Sequence, residues 1–183
     1  MHRFGVTGLS DSGKTTLVCR LLPRLQARGL RVATVKHAHH GFDLLPDDHP
    51  AQAWRAAGAR DIVLAAPDRF AHLRETGDDG EPPLERLLQA LDRADLVLIE
   101  GYKRGGHDKI EVRRGAGEAP LLAAADPTVV AVASDRPVPA AAAIGRAVPV
   151  FDIDDIAGIA SFVVAHCGAA GSRDSVSGHG TAQ

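Results

Sequence analysis

Residues 8 to 15 read Gly-Leu-Ser-Asp-Ser-Gly-Lys-Thr, and no other stretch limits what the chain can fold into as tightly. A short apolar run, Phe4 to Thr7, precedes it. Thr15 to Arg28 follows, with Val18, Leu21, Leu22 and Leu25 at helical spacing and Gly29 as a stop. A strand, a glycine-bounded turn and an amphipathic helix in that order make a phosphate-binding loop, or P-loop. Gly8 and Gly13 permit the backbone angles of a tight concave turn. Its N–H groups and the helix N-terminus then face anionic oxygen. In such a loop Ser10, Asp11, Ser12 and Gly13 line the phosphates, and Lys14 reaches the β- and γ-phosphates. The Thr15 hydroxyl ligates Mg²⁺, and Thr16 is placed for the α-phosphate. Pro23 falls inside the helical pattern and is expected to disturb it.

Beyond the loop, apolar runs keep alternating with helical patterns. Strands are predicted at Arg31 to Val35, Asp61 to Ala66, Arg69 to Glu75, Leu96 to Ile99, Lys109 to Arg113, Val129 to Ala133 and Val148 to Phe151. Helices are predicted around Ala51 to Ala57, Pro83 to Arg93 and Asp154 to His166. The alternation predicts an α/β fold with a mostly parallel sheet between helices, in one domain over residues 1–167. Residues 168–183 are Gly, Ser and Ala with scattered polar residues, and are expected to form a disordered tail.

Ligands in parallel α/β sheets bind at the carboxyl ends of strands. The run Asp95-Leu-Val-Leu-Ile-Glu100 offers two acids for Mg²⁺, about 16 Å apart in an extended strand, so they cannot share one metal. Glu100 ends the strand and is the candidate; Asp95 begins it and reads as a solvated strand start. Lys36-His-Ala-His-His-Gly-Phe-Asp43 follows another strand. There Lys36 is a candidate for offsetting phosphate charge and Asp43 for assisting Mg²⁺. His37, His39 and His40 are crowded for a closed transition-metal site, and no cysteine joins them. A loop that senses the triphosphate competes with a plain polar surface loop. Ser134-Asp135 follows the strand at Val129 to Ala133. Asp135 either accepts the paired N–H donors of guanine or caps the turn before Arg136-Pro137.

The formal net charge of −2 gives no electrostatic case for nucleic acid or a membrane surface, and 4% aromatics leaves few stacking platforms for bases. No apolar run approaches the roughly 18 residues of a membrane helix. No secretory leader is evident and the two cysteines lie in no motif, so a cytoplasmic protein is expected.

The ordered set of these segments resembles the MobB family, GTP-binding adaptors of molybdopterin-guanine dinucleotide biosynthesis. The resemblance covers roughly residues 3 to 166. Its carriers are Gly8 to Thr16, Val35-Lys-His-Ala-His-His40 with Asp43, Arg55-Ala-Ala-Gly-Ala59, Glu75-Thr76 and Ile99-Glu-Gly-Tyr-Lys103. Downstream come Lys109-Ile-Glu-Val-Arg113, Val130-Ala-Val-Ala-Ser-Asp135 and Phe151-Asp-Ile-Asp-Asp155. The resemblance implies the three-layer P-loop NTPase fold, GTP with Mg²⁺, weak hydrolysis and a homodimer. It also implies a MobA-type molybdenum cofactor guanylyltransferase as partner, with molybdopterin as a further candidate ligand. By position, Ser10 to Thr16 would carry phosphate, Thr15 with Glu100 the metal, and Asp135 would gain weight as a guanine contact. One segment departs: family members usually carry Pro-Gly-x-Asp-Ser/Thr, whereas here Pro46-Asp-Asp-His-Pro-Ala-Gln52 puts Pro50 and Ala51 at the Asp and Ser/Thr positions.

Two other functions use the same loop. A small-molecule kinase needs an acceptor pocket and a clamp of arginines, for which Arg69, Arg74, Arg104, Arg113 and Arg114 are the candidates, but no general base stands out. A metallochaperone GTPase would pass nickel through the His loop, without a Cys–His cluster. No arginine finger or water-positioning Gln is evident in cis, so unaided hydrolysis is expected to be slow.

Overall fold

The computed structural model of the chain describes residues 1–38, 41–42, 45–46, 48–77, 80–91, 93–115, 119–138 and 146–169. Their elements, in chain order, are β1 (His2–Gly8), α1 (Lys14–Gln26), β2 (Val32–Lys36), α2 (Pro50–Ala56), β3 (Asp61–Ala66), β4 (Arg69–Arg74), α3 (Leu84–Gln89), β5 (Leu96–Glu100), β6 (Lys109–Arg113), α4 (Leu122–Ala125), β7 (Val129–Ser134), β8 (Val150–Asp152) and α5 (Ile156–Cys167). They group into two compact units, Met1–His37 with Leu91–Gln183, and Ala38–Ala90. Of the expected tail, 168–183, Gly168 caps α5 at φ 63° and Ala169 is buried in the core, so the ordered chain runs two residues further than expected, and residues 170–183 lie outside the described residues.

The first unit is a six-stranded sheet in the order β2-β5-β1-β6-β7-β8, with every pairing parallel. Parallel strands need crossovers that cover the faces, which is why β5 can be buried throughout and apolar from Leu96 to Ile99. On one face Phe4, Val6, Leu98, Ile110, Val112, Ala131 and Ala133 meet Leu17, Leu21 and Leu25 of α1 and Ile159 and Val163 of α5. Pro23 removes one backbone donor from α1, yet the helix runs on to Gln26, anchored by the buried leucines on both sides of the proline.

The opposite face carries a smaller cluster of Leu121, Ala123, Val129, Val132 and Val148. The β6–β7 register shifts between Lys109 and Ile110, so Val129 and Val132, three residues apart, share this face. A polar seam from β6 lies on it too. Lys109 is 1% exposed; its ammonium donates to the Gly105 carbonyl at 2.8 Å and the Thr128 hydroxyl, and pairs with Asp126 at 3.3 Å. Glu111, 2% exposed, accepts from the Ala123 N–H at 3.2 Å and pairs with Arg113 at 3.0 Å. Every buried charge in the seam thus has a partner, as burial in a low dielectric demands.

The second unit holds α2, the antiparallel β3–β4 hairpin and α3. The divergent segment around Pro50 forms a helix start. His49 is the N-cap, its Nδ1 accepting from the Ala51 N–H at 3.1 Å, and Pro50 stands at the first helical position, where a missing N–H costs nothing. The hairpin turns through Pro67 and Asp68 and forms a two-stranded sheet of its own. Val63 on β3 is 60% exposed and Phe70 on β4 is 76% exposed.

Candidate functional site

Because β1, β2 and β5 are parallel neighbours, their carboxyl ends bring Gly8, Lys36 and Glu100 to one edge of the first unit. The turn between β1 and α1 is strained wherever a phosphate cradle needs it. Gly8 has φ 146°, and a Cβ there would stand 2.4 Å from the Val112 carbonyl oxygen and 2.7 Å from Ser12 Oγ. Asp11 takes φ 58° and Gly13 φ 93°. Ser12 is 6% exposed, and its hydroxyl has no hydrogen-bond partner among the described residues. The oxygen is turned inward against Gly8, a buried polar atom whose desolvation no partner among the described residues offsets. Lys14 Nζ donates to the Leu9 carbonyl at 2.6 Å, bridging the turn. Burial pulls the Lys14 pKa down; Glu100 opposes the shift, while Lys103 and Lys36 add to it. Ser10 and Thr16 are exposed at the rim.

Thr15, Glu100 and Lys36 converge. The Thr15 hydroxyl donates to the Glu100 carboxylate, with oxygens at 2.8 and 3.0 Å. Lys36 Nζ donates to Thr15 Oγ1 at 3.1 Å and pairs with Glu100 Oε1 at 3.2 Å. Register explains the pairing: Lys36 and Glu100 are directly opposed across β2 and β5. The ammonium is thus a stand-in cation between a hydroxyl and a carboxylate. This hard-oxygen pair suits Mg²⁺, which is ordinarily held by one or two carboxylates together with phosphate oxygens.

The chain leaves Glu100 by a sharp turn. Gly101 has φ 94°, and a Cβ there would lie 2.7 Å from His37 Cβ. Tyr102, at φ 46°, packs its ring on His37 with centroids 4.9 Å apart. Of the loop histidines, His37 therefore belongs to this turn, whereas His39, His40 and the candidate Asp43 lie outside the described residues. Among the described residues no group of three or more His, Cys, Asp or Glu side chains could hold a metal ion.

Asp135 stands apart from that cluster, at the end of β7, two strands from β1 and so about 10 Å along the sheet. The turn before Arg136 is capped by Ser134, whose hydroxyl accepts the Arg136 N–H at 3.2 Å. Asp135 instead accepts the Gly115 N–H, with its oxygens at 3.1 and 3.0 Å. Sequence reasoning gave no role at the loop to Lys103, whose charge acts on Lys14. It met Arg114, which lies against Gly13, only as one of several kinase clamp candidates. Both follow strand ends, which was the available signal.

A family model for molybdopterin guanine dinucleotide synthesis protein B matches residues 4–135. The chain is 39% identical over 158 residues to the molybdopterin-guanine dinucleotide biosynthesis adapter protein of Escherichia coli (strain K12), covering 85% of this chain and 87% of that protein. Against the adapter protein of Haemophilus influenzae the identity is 39% over 163 residues, covering 87% and 85% respectively. The crystal structure of a molybdopterin-guanine biosynthesis protein B superposes with a TM-score of 0.66 at 29% identity, over 91% of this chain and 99% of that one.

Proposed function

The chain belongs to the MobB family, molybdopterin guanine dinucleotide synthesis protein B, and on that premise we propose that it is a GTP-binding adaptor for molybdopterin-guanine dinucleotide synthesis. The observation that carries the nucleotide reading is the junction of the P-loop with a cation-gathering pair, Thr15 and Glu100, bridged by the Lys36 ammonium. Thr15 and Glu100 would hold Mg²⁺, which offsets charge on the β- and γ-phosphates. Lys14 and the inward backbone donors bind the triphosphate. Kinship with proteins named for a guanine dinucleotide supports GTP over ATP. Hydrolysis is slow in this reading.

The partner is a MobA-type guanylyltransferase, in keeping with the name adapter protein borne by the relatives. A second copy of the chain pairs through the β3–β4 hairpin. A two-stranded sheet is marginal alone, and its edges, unpaired among the described residues, and the exposed Val63 and Phe70 suit a self-complementary contact. Among the described residues no helix is long and apolar enough to cross a membrane.

The test is reconstitution. Purified guanylyltransferase, molybdopterin and Mg·GTP are combined with the wild-type chain or with Lys14→Ala, and dinucleotide product is measured. Stimulation by the wild type and its loss in Lys14→Ala is expected. No stimulation, or equal stimulation by both, would refute the reading. Calorimetric titration of the chain with Mg·GTP and Mg·ATP decides the base.

A further inference from the structure

Beyond β6 the chain turns back beside the phosphate loop. The Arg114 guanidinium lies against Gly13: the point where a Gly13 Cβ would stand is 3.6 Å from Nε, 3.7 Å from Cζ and 3.9 Å from one terminal nitrogen. Gly13 is the N-cap of α1. A cation there faces the positive end of the helix dipole and shares the loop with Lys14, an arrangement that electrostatics opposes unless an anion joins it. No carboxylate or carbonyl among the described residues pairs with Arg114, which is exposed. Its neighbour Arg113 is engaged instead, donating to Glu111 at 3.0 Å and to the carbonyls of Ala119 and Pro120 at 2.7 and 3.3 Å.

What holds Arg114 in place is backbone. The next residue, Gly115 at φ 79°, donates its N–H to Asp135, as described above. The carboxylate ties the turn after β6 to the end of β7, the next strand of the sheet.

We propose that Arg114 is a nucleotide-contact residue that grips the α-phosphate, and that Asp135 is the positioning residue that latches its turn over the P-loop. The inference rests on the P-loop reading and deepens it. The assignment to the α-phosphate follows from the sheet order. Glu100 and Lys36 stand on the β5 side of β1, where the metal and the outer phosphates lie; β6 brings Arg114 to the other side, toward the nucleoside. A guanidinium fork suits two oxygens of one phosphate.

Affinities for Mg·GTP and Mg·GDP, measured by calorimetry on the full chain, test it. Arg114→Ala should weaken both nucleotides by the same factor, tenfold or more, and Arg114→Lys should recover part of the loss. Asp135→Ala should weaken both in the same way, and the double variant should be no worse than Arg114→Ala, because the two act through one contact. Asp135→Asn keeps an oxygen for the Gly115 N–H and should stay near wild type, with an unchanged preference for GTP over xanthosine triphosphate. Several results overturn the proposal: wild-type affinities in Arg114→Ala, a loss confined to GTP, additive losses in the double variant, or a gain of xanthosine triphosphate binding in Asp135→Asn. The last would make Asp135 the guanine reader. A wild-type chain that binds neither nucleotide would overturn the P-loop reading itself.

Discussion

Replacing Glu100 by Gln separates a metal-holding acid from a structural one. The substitution keeps the shape and leaves an amide oxygen to accept from the Thr15 hydroxyl; it removes the charge facing Lys36. At 3.2 Å and an effective dielectric near 20, that ion pair is worth about 5 kcal/mol gross. The Lys36 side chain is 58% exposed, so solvent screening reduces the net contribution to about 1 kcal/mol or less. For a chain of this size the unfolding midpoint should fall by only about 2–4 °C. The effect on Mg²⁺ should be larger. Losing a charged acceptor for the metal or its water costs about 1.5–3 kcal/mol, or roughly ten- to 150-fold. The assay is GTP titration at saturating Mg²⁺ and again in EDTA, with the ratio of the two affinities as readout. Wild type should show a strong ratio and Glu100→Gln a ratio reduced by that factor. An unchanged ratio, or a midpoint lowered by more than about 10 °C, would refute the reasoning and make Glu100 a structural acid.

Three further outcomes follow from the same structure. Phe70→Asp puts a charge at the exposed hairpin strand and should convert a dimer to monomer by light scattering, with the fold intact by circular dichroism; a persistent dimer would move the contact elsewhere. Asp95 is held down from 3.8 to about 2, first by the Arg31 side chain and then by the Arg31 backbone N–H. Its stabilising contribution is therefore complete above about pH 4 and lost as pH falls through about 2, so Asp95→Asn should flatten acid unfolding across that window, as followed by circular dichroism. The Cys167 thiol is pushed up to about 11 by burial, with Asp108 adding to it, whereas Cys19 is exposed. Iodoacetamide at pH 8 should label Cys19 fast and Cys167 slowly by peptide mass spectrometry; equal rates would count against the burial.

The parts of the molecule that local pattern dictates were legible in the sequence. The glycine-spaced turn, the apolar run of β5 and the paired strands of the hairpin all appear where composition and spacing put them. Helix α4 went unread because four residues, Leu122 to Ala125, carry no period. Helix α3 stops at Gln89, short of the predicted Arg93, because the apolar spacing continues after the backbone has left the helix. At the site, Thr15 was readable from the glycine-spaced loop and Glu100 as a strand-end acid. Their bridging by Lys36 was not, since it depends on β2 lying beside β5. Arg114 was hidden for the same reason: only the sheet order brings the residue after β6 to the loop after β1. The Pro50 departure became intelligible once His49 was seen to cap a helix.

The buried seam of β6 has a bearing on assembly rather than on ligand. Lys109, Glu111 and Arg113 alternate with Ile110 and Val112, and each charged group finds its partner on one face only. A slip of one residue during strand pairing would drive an ammonium and a carboxylate into the leucines of α1 and leave two aliphatic side chains among orphaned acceptors. The strand next to the nucleotide loop thus proofreads its own alignment, and with it the position of everything that follows β6.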